Sequence, residues 1–396
     1  MPEHSILGQD IAFDTQNKTG EDYSYTVRVR RSQGLTYNGG ASYGTVFALN
    51  EARNGETREA KERGSEMVLR ERVASGLLAS AVNAGKQAYG NFATEIIQDM
   101  RNTMSFAREE DILYGGTNIG EISGIAGSGT SRVLTFTPGS WAPGLWAQKE
   151  NAALDAYNPA LTTQRNGNAA IIVGAIDNDA RTVAVTGNAA DLTALTVGDV
   201  VLPFGAVGNW FNGLDALVPS TGVLHGIDGA VYSLWRGNTR DNAGGAASLA
   251  ILTSAAARTV VRSGATNLKA YVSTYTWTDL NNDSAAIRRY TSSTKEGLDL
   301  GTTKITYYGP NGTIDIVPHP MVKAGEAFML SPRHLKRIGA ADITNRQPGL
   351  AGAEENYLHV LENNMGYEMR MYSNQALFNC RPAAHVKITG IVNAAS

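Results

Sequence analysis

Five residues of this chain fit a pattern that could do covalent chemistry. Gly40-Ala41-Ser42-Tyr43-Gly44 matches the nucleophile elbow, in which a sharp turn from strand to helix presents a serine. Its surroundings argue against that use. Asn38-Gly39 reads as a turn and Thr45-Val46-Phe47 as strand, so Ser42 sits in a hairpin loop with no helix behind it. Asp177-Asn178-Asp179 has the carboxylates of a calcium loop without its glycine or distal glutamate, and reads as a β-turn. The histidines His4, His225, His319, His334, His359 and His385 are scattered with no helical pairing, as surface or satisfied core residues would be. There is no His-Glu-x-x-His, no cysteine pair at metal spacing and no phosphate loop. The single Cys380 cannot form an intramolecular disulfide and reads as a small buried hydrophobe rather than a nucleophile. No catalytic residue, metal ligand or cofactor is predicted.

Trp141, Trp146, Trp210, Trp235 and Trp277 stand among turns such as Pro143-Gly144 and Asn212-Gly213 and are expected to anchor cores. Exposed, they would instead form a stacking platform for carbohydrate. The chain has 396 residues, more than the roughly 250 to 300 at which single cores stop growing, so two or three lobes are expected. A net charge of −3 and a pI near 6.1 supply no basic field for gripping nucleic acid. Residues 1–30 show no secretory signal, and no run approaches 18 apolar residues, so a soluble protein made in a cytoplasm is expected. The sequons at Asn17, Asn282 and Asn311 are then chance matches.

The elements that must hold these residues in place begin with a polar arm over residues 1–22. From Tyr23 to Arg31, Tyr25, Val27 and Val29 alternate with Thr26, Arg28 and Arg30, which predicts a half-exposed strand. Asn38-Gly39-Gly40 is a turn signal, and Gly44–Leu49 is expected to be the returning strand. The segment from Glu51 to Arg72 carries six acidic and six basic residues. It reads either as a solvated loop or as a surface seeking complementary charge on another subunit. Apolar side chains at Tyr89, Phe92, Ile96, Met100, Met104 and Ala107 then predict a one-faced helix ending at Gly115-Gly116. At 1.5 Å per residue, Tyr89–Leu113 would span about 37 Å. An earlier helical piece from Ala74 is weakened by Gly85 and Gly90. Short strands and turns fill Ile119 to about Val218. A helix over Ser248–Arg262 capped by Gly264 opens a mixed lobe, in which Ser331-Pro332 is expected to start a helix that Gly339 ends. The tail alternates as strand over Met365–Tyr372 and His385–Ile391.

The stretches Arg108-Glu109-Glu110-Asp111-Ile112-Leu113-Tyr114-Gly115, Gly226-Ile227-Asp228 to Trp235-Arg236, and Ile314-Asp315-Ile316-Val317-Pro318-His319-Pro320 carry a family resemblance. So does Tyr372–Pro382 leading into Val386-Lys387-Ile388-Thr389-Gly390-Ile391. In this order of parts the chain resembles tailed-bacteriophage major capsid proteins with the Hong Kong 97-like fold. The resemblance implies an α+β fold with an N-terminal arm (1–22), an extended hairpin loop (23–72), and a spine helix with peripheral domain (73–130). A β-rich inserted subdomain (131–222), an axial domain (223–350) and a return to the peripheral domain (351–396) follow. It implies self-assembly in hexamers and pentamers, a virion location after assembly in a bacterial cytoplasm, and DNA enclosed without sequence-specific binding. A separate scaffolding protein, a portal and a decoration protein are the implied partners, with no membrane. Arg28, Arg30, Arg31, Arg53, Arg58 and Arg63, with Glu59, Glu62 and Glu66, become the candidate contacts between subunits. Some members join subunits by a lysine-to-asparagine bond; Lys61 lies in the loop and Asn363 and Asn364 in the tail, but nothing around them marks a catalytic site and no crosslink is assigned. Two rivals stay open. One is a nanocompartment shell of the same fold; the other is a β-rich carbohydrate-active enzyme or binding module, which would need paired carboxylates about 5 to 10 Å apart in a cleft.

Overall fold

In the computed structural model, the described residues are 5–15, 22–38, 44, 46–76, 86–167, 169–282, 305–345, 358–361 and 364–394. Residues 39–43 and 45 lie outside them, and with them most of the Gly40–Gly44 pattern and the turn at Asn38-Gly39-Gly40. The main core joins three β bodies to the last turn of a long helix, and separate apolar clusters lie under the rest of that helix and under a second helix. The class is α+β.

The N-terminal segment is docked. A short helix, Ile6–Asp10, buries Leu7, and strand β1 (Phe13–Thr15) runs parallel to β18 (Leu335–Thr344). Strand β2 (Asp22–Arg30) has the predicted alternation, with Tyr23, Val27 and Val29 buried and Arg28 and Arg30 exposed. Its partner is β3 (Glu56–Arg63), in the register Asp22↔Arg63 to Arg30↔Glu56. The return strand therefore lies in the charged segment and not at Gly44–Leu49. Strand β4 (Ser65–Ala74) continues from β3 past Gly64 and pairs along β20 (Gly366–Asn379). The reason is a period-two pattern hidden among the charges. Met67, Leu69 and Val73 turn inward while Glu66, Val68, Arg70 and Arg72 face out.

The long helix runs unbroken through Gly90 as Lys86–Tyr114, 29 residues or about 43 Å. Ala74 closes β4, Ser75 and Gly76 are helical, and residues 77–85, with the expected weak point at Gly85, lie outside the described ones. Ile96, Met100 and Met104 pack with Val73, Met369 and Met371, so β4 and β20 cover the apolar stripe. The side chains of Tyr89 and Phe92 lie outside the described ones. No helix among the described residues is long and apolar enough to cross a membrane.

After the helix, six strands close a barrel in the order β10-β5-β6-β9-β8-β7. They are β5 (Gly120–Ser128), β6 (Ser131–Phe136), β7 (Ala153–Tyr157), β8 (Ile171–Asp177), β9 (Thr182–Thr186) and β10 (Val200–Pro203). Trp141 and Trp146 stack 5.5 Å apart beside Phe136 in the core. Trp235 is also buried, and Trp210 and Trp277 are half-buried, so the tryptophans are core anchors. A two-stranded ribbon, β11 (Val223–Leu224) with β12 (Ile227–Asp228), leads to a mixed six-stranded sheet, β13-β21-β17-β14-β16-β15. Its strands are β13 (Asn238–Ala246), β14 (Leu268–Val272), β15 (Ile305–Gly309), β16 (Gly312–Pro318), β17 (Ala327–Leu330) and β21 (Val386–Val392). Helix Leu249–Ser263 lies on it and ends at Gly264 in the left-handed conformation.

One expected helix is absent. Ser331-Pro332 opens only a single turn, Pro332–His334, and the chain then extends as β18 straight through Gly339. Antiparallel pairing with β20 wins over the capping signal, and Gly339 serves close approach: a Cβ there would meet the Asn374 carbonyl oxygen at 2.2 Å. Strand β19 (Leu358–Val360) completes this sheet.

Candidate functional site

The segment most unlike a globular surface is the β2–β3 hairpin with the loop it carries. Its root is tied to the body. Glu62, expected to face a neighbour, is buried: it accepts from Asn212 Nδ2 at 2.8 Å and meets His225 Nδ1 at 2.6 Å. Tyr25 packs on Phe378, and Tyr23 hydroxyl donates to Asn374 Oδ1 at 2.7 Å. Glu66 is exposed and accepts from the Asn374 amide at 2.8 Å.

The arginines divide into two kinds. Arg58 and Arg30 converge on Glu56 at 2.7 and 3.7 Å, and Tyr232 hydroxyl donates to the same carboxylate at 2.8 Å. That hydrogen bond first, then the arginines, holds the Glu56 carboxyl below its ordinary range. Both cations are thus offset within the subunit. Glu59 pairs loosely with Lys61 at 3.7 Å, and Arg28 donates to Ser32 at 3.3 Å. Arg53 joins Gln33 through backbone bonds of 2.7 and 3.0 Å. Arg31, Arg53 and Arg63 are exposed.

Beyond that bridge the loop presents what charge counting missed. Leu35, Tyr37, Val46, Phe47 and Leu49 are exposed, Val46 completely. Asn50 holds the two sides together, its N–H donating to Thr36 Oγ1 and its Nδ2 to the Leu35 carbonyl, both at 2.8 Å. These exposed apolar side chains lie on the two described sides of the loop, before residue 39 and after residue 45.

A second surface lies between the long helix and the barrel, a cleft of about 1180 Å³ lined by Gln98, Asp99, Asn102, Lys149, Phe204 and Trp210 among others. At its floor the helix buries four consecutive charged residues. Arg108 donates to Asp342 at 3.0 Å and to Ser5 Oγ at 2.7 Å. Glu109 accepts the N–H groups of Leu7 and Gly8 at 2.5 and 3.0 Å, fastening the N-terminal helix by its orphan donors. Glu110 pairs with Lys149 at 2.6 Å. Asp111 accepts from Trp210 Nε1, and burial pushes its carboxyl up to about 8. Through these bonds the four residues tie the N-terminal segment, the barrel and β18 to the long helix. The apolar periodicity ends at Ala107, so no pattern in the sequence marked the burial of this charged run.

No family model matches the chain, and no curated protein matches it in sequence. Among solved structures, the cyanophage A-1(L) capsid asymmetric unit aligns over 98% of this chain and 92% of that one, with a TM-score of 0.52 and 12% identity. The capsid of the native GTA particle aligns over 99% and 92% with a TM-score of 0.49 and 9% identity, and the capsid of cyanophage P-SCSP1u over 100% and 90% with 0.46 and 10%. The cyanophage A-1(L) likeness spans nearly the whole of both chains and shows that this chain has a phage-capsid fold, as the resemblance predicted.

Proposed function

We propose that this chain is a major capsid protein, self-assembling into the icosahedral head shell that encloses phage double-stranded DNA. The observation that carries the reading is a phage-capsid fold containing a hairpin that is buried at its root and exposes Leu35, Tyr37, Val46, Phe47 and Leu49 in the loop it carries. Shells built from many copies need heterologous contacts that close on themselves, and a braced projection with an apolar end supplies one. In this reading residues 1–22 are the arm and Lys86–Tyr114 the spine helix, and the extended loop, expected over 23–72, ends at Gly64 because β4 pairs along β20. The helix and the sheet containing β18 and β20 form the peripheral domain, the six-stranded sheet is the axial domain, and the closed barrel is inserted between them. Copies group in hexamers and pentamers, with a scaffolding protein, a portal and a decoration protein as partners. The near-neutral balance suits a wall that holds DNA without gripping it. The protein then belongs to the virion after assembly in a bacterial cytoplasm.

The test is sedimentation of the chain expressed with and without a scaffolding protein, beside a variant with Leu35, Tyr37, Val46 and Leu49 all changed to Ser. The wild type should sediment as large closed particles and the variant as folded small species. A wild-type monomer under every condition contradicts the reading. Closed particles that load protein cargo instead of DNA favour a nanocompartment shell.

A further inference from the structure

On the side away from the long helix, the sheet of β4 and β20 turns a charged face to solvent. Its other face is apolar and covered: Met67, Leu69, Val73, Met369 and Met371 pack with Ile96, Met100 and Met104. Side chains alternate along both strands, so the register that sends those residues inward sends Arg70 and Arg72 of β4 and Glu368 and Arg370 of β20 outward together. Arg70 stands directly opposite Arg370, and Arg72 directly opposite Glu368.

The Glu368 side chain is only 3% exposed, and both of its oxygens are taken. Arg370 Nε donates to Oε1 at 2.7 Å and Arg72 Nε to Oε2 at 3.3 Å. One buried carboxylate therefore holds two guanidiniums by their Nε ends, and among the described residues their Nη groups make no hydrogen bond. Arg70, Arg72 and Arg370 are all exposed, and Arg70 has no hydrogen bond or ion pair among the described residues. Glu66, two outward positions back along β4, is bonded to Asn374. Three guanidiniums thus share one carboxylate, in a chain whose overall charge is −3.

Like charges at opposed cross-strand positions destabilise a sheet, and an anion laid between them removes that cost. Free Nη groups are the part of arginine that grips phosphate in a fork. Arg70 and Arg370 stand about 5 Å apart at their β-carbons, and Arg70 and Arg72 about 7 Å apart along the strand. A polymer with a phosphate about every 3.4 Å of each strand meets such a row more than once. A protein partner would need an apolar core to seat on, and this face offers only Val68 beside the half-buried Tyr372.

We propose that Arg70, Arg72 and Arg370 form a phosphate-binding face for a nucleic-acid backbone. The proposal rests on the shell reading and deepens it by naming the face of the subunit that meets the enclosed DNA. The contact is independent of base sequence and weak in one copy, and repetition over a shell gives it effect. Its test is fluorescence anisotropy of a short labelled duplex titrated with the purified full-length chain between about 50 and 200 mM salt. Three phosphate contacts predict an affinity that falls roughly forty-fold over that range, alike for duplexes of unrelated sequence. Arg70→Gln with Arg72→Gln leaves the Glu368–Arg370 pair intact and should lower the salt slope by about two, with the melting of the subunit unchanged. Arg70→Lys with Arg72→Lys keeps the charge and should keep most of the slope. A glutamine variant that binds the duplex with wild-type affinity and slope overturns the proposal, and so does a wild-type chain that leaves the duplex unbound. Poly-glutamate that displaces the duplex at equal or lower charge concentration also overturns it, marking the face as a seat for an acidic protein. Duplex binding that the glutamine variant loses, in a chain that never forms shells, supports the face and overturns the shell reading alone.

Discussion

Glu109 of the long helix and His319, at the end of β16, meet at 2.9 Å with both side chains fully buried, and the direction of the bond is set. His319 Nδ1 accepts the N–H of Met321 at 3.2 Å, so Nε2 carries the hydrogen and donates to the carboxylate. With the N–H groups of Leu7 and Gly8 on the same carboxylate, one side chain joins the N-terminal segment, the long helix and the mixed lobe. Glu109→Ala removes the acceptor of four buried donors, the Ser5 hydroxyl included, and is expected to cost about 3 to 5 kcal/mol. Urea unfolding reads the loss, and limited proteolysis should find new cuts within residues 5–15. An unchanged unfolding midpoint would contradict the role given to this carboxylate.

Glu62 and His225 brace the hairpin in the same way. His225 Nε2 accepts the N–H of Asn379 at 3.3 Å, which leaves Nδ1–H to donate to Glu62. Glu62→Ala should destabilise the subunit by about 2 to 4 kcal/mol and speed hydrogen exchange along Glu56–Arg63. Exchange that rises evenly over the whole chain would place the effect elsewhere than the hairpin root.

Asp111 predicts a pH dependence. Its carboxyl lies well above the ordinary carboxylate range in the folded chain, about 8 against 3.8. The protonated form therefore belongs to the folded state. Its contribution to stability is present in acid, below about pH 4, and is lost as pH rises through about 8, with a total on the order of a few kcal/mol. Asp111→Asn should flatten the melting temperature between pH 6 and 9 relative to the wild type. Parallel profiles for the two proteins would show that Asp111 does not titrate in that window.

Gly339→Ala places a methyl group 2.2 Å from the Asn374 carbonyl oxygen and 2.9 Å from Gln375 Cα, where β18 and β20 shift register. Backbone on both strands would have to move, which predicts a loss of about 1 to 3 kcal/mol, in the range of overpacked cores. Thermal unfolding measures it, and a melting curve matching the wild type would refute the close approach.

Much of the architecture was legible because it rests on period. The alternation of Tyr25, Val27 and Val29, the three-and-four spacing of Ile96, Met100 and Met104, and the Gly264 cap each state a local preference that the fold keeps. What was illegible is pairing. Nothing local separates Glu56–Arg63 from a solvated loop, because its inward residues are only Ala60 and Glu62, and a glutamate reads as exposed until His225 arrives 163 positions later. The run Arg108 to Asp111 hides its burial for the same reason, since its partners come from residues 5–8, 149, 210, 319 and 342. Ser331-Pro332 signalled a helix that β20 overrode. Of the candidate contacts, charge composition named Arg31 alongside Arg30 and Arg58, whereas only the folded chain shows that Arg30 and Arg58 are offset by Glu56.

The most direct measurement is electron microscopy of the purified chain after co-expression with a scaffolding protein, with particle diameter and symmetry as the readout. Closed icosahedral particles of uniform size are expected, with Leu35, Tyr37, Val46 and Leu49 of each subunit seated on its neighbour. Dispersed monomers in every preparation, with a cleft that turns over a carbohydrate substrate, would contradict it.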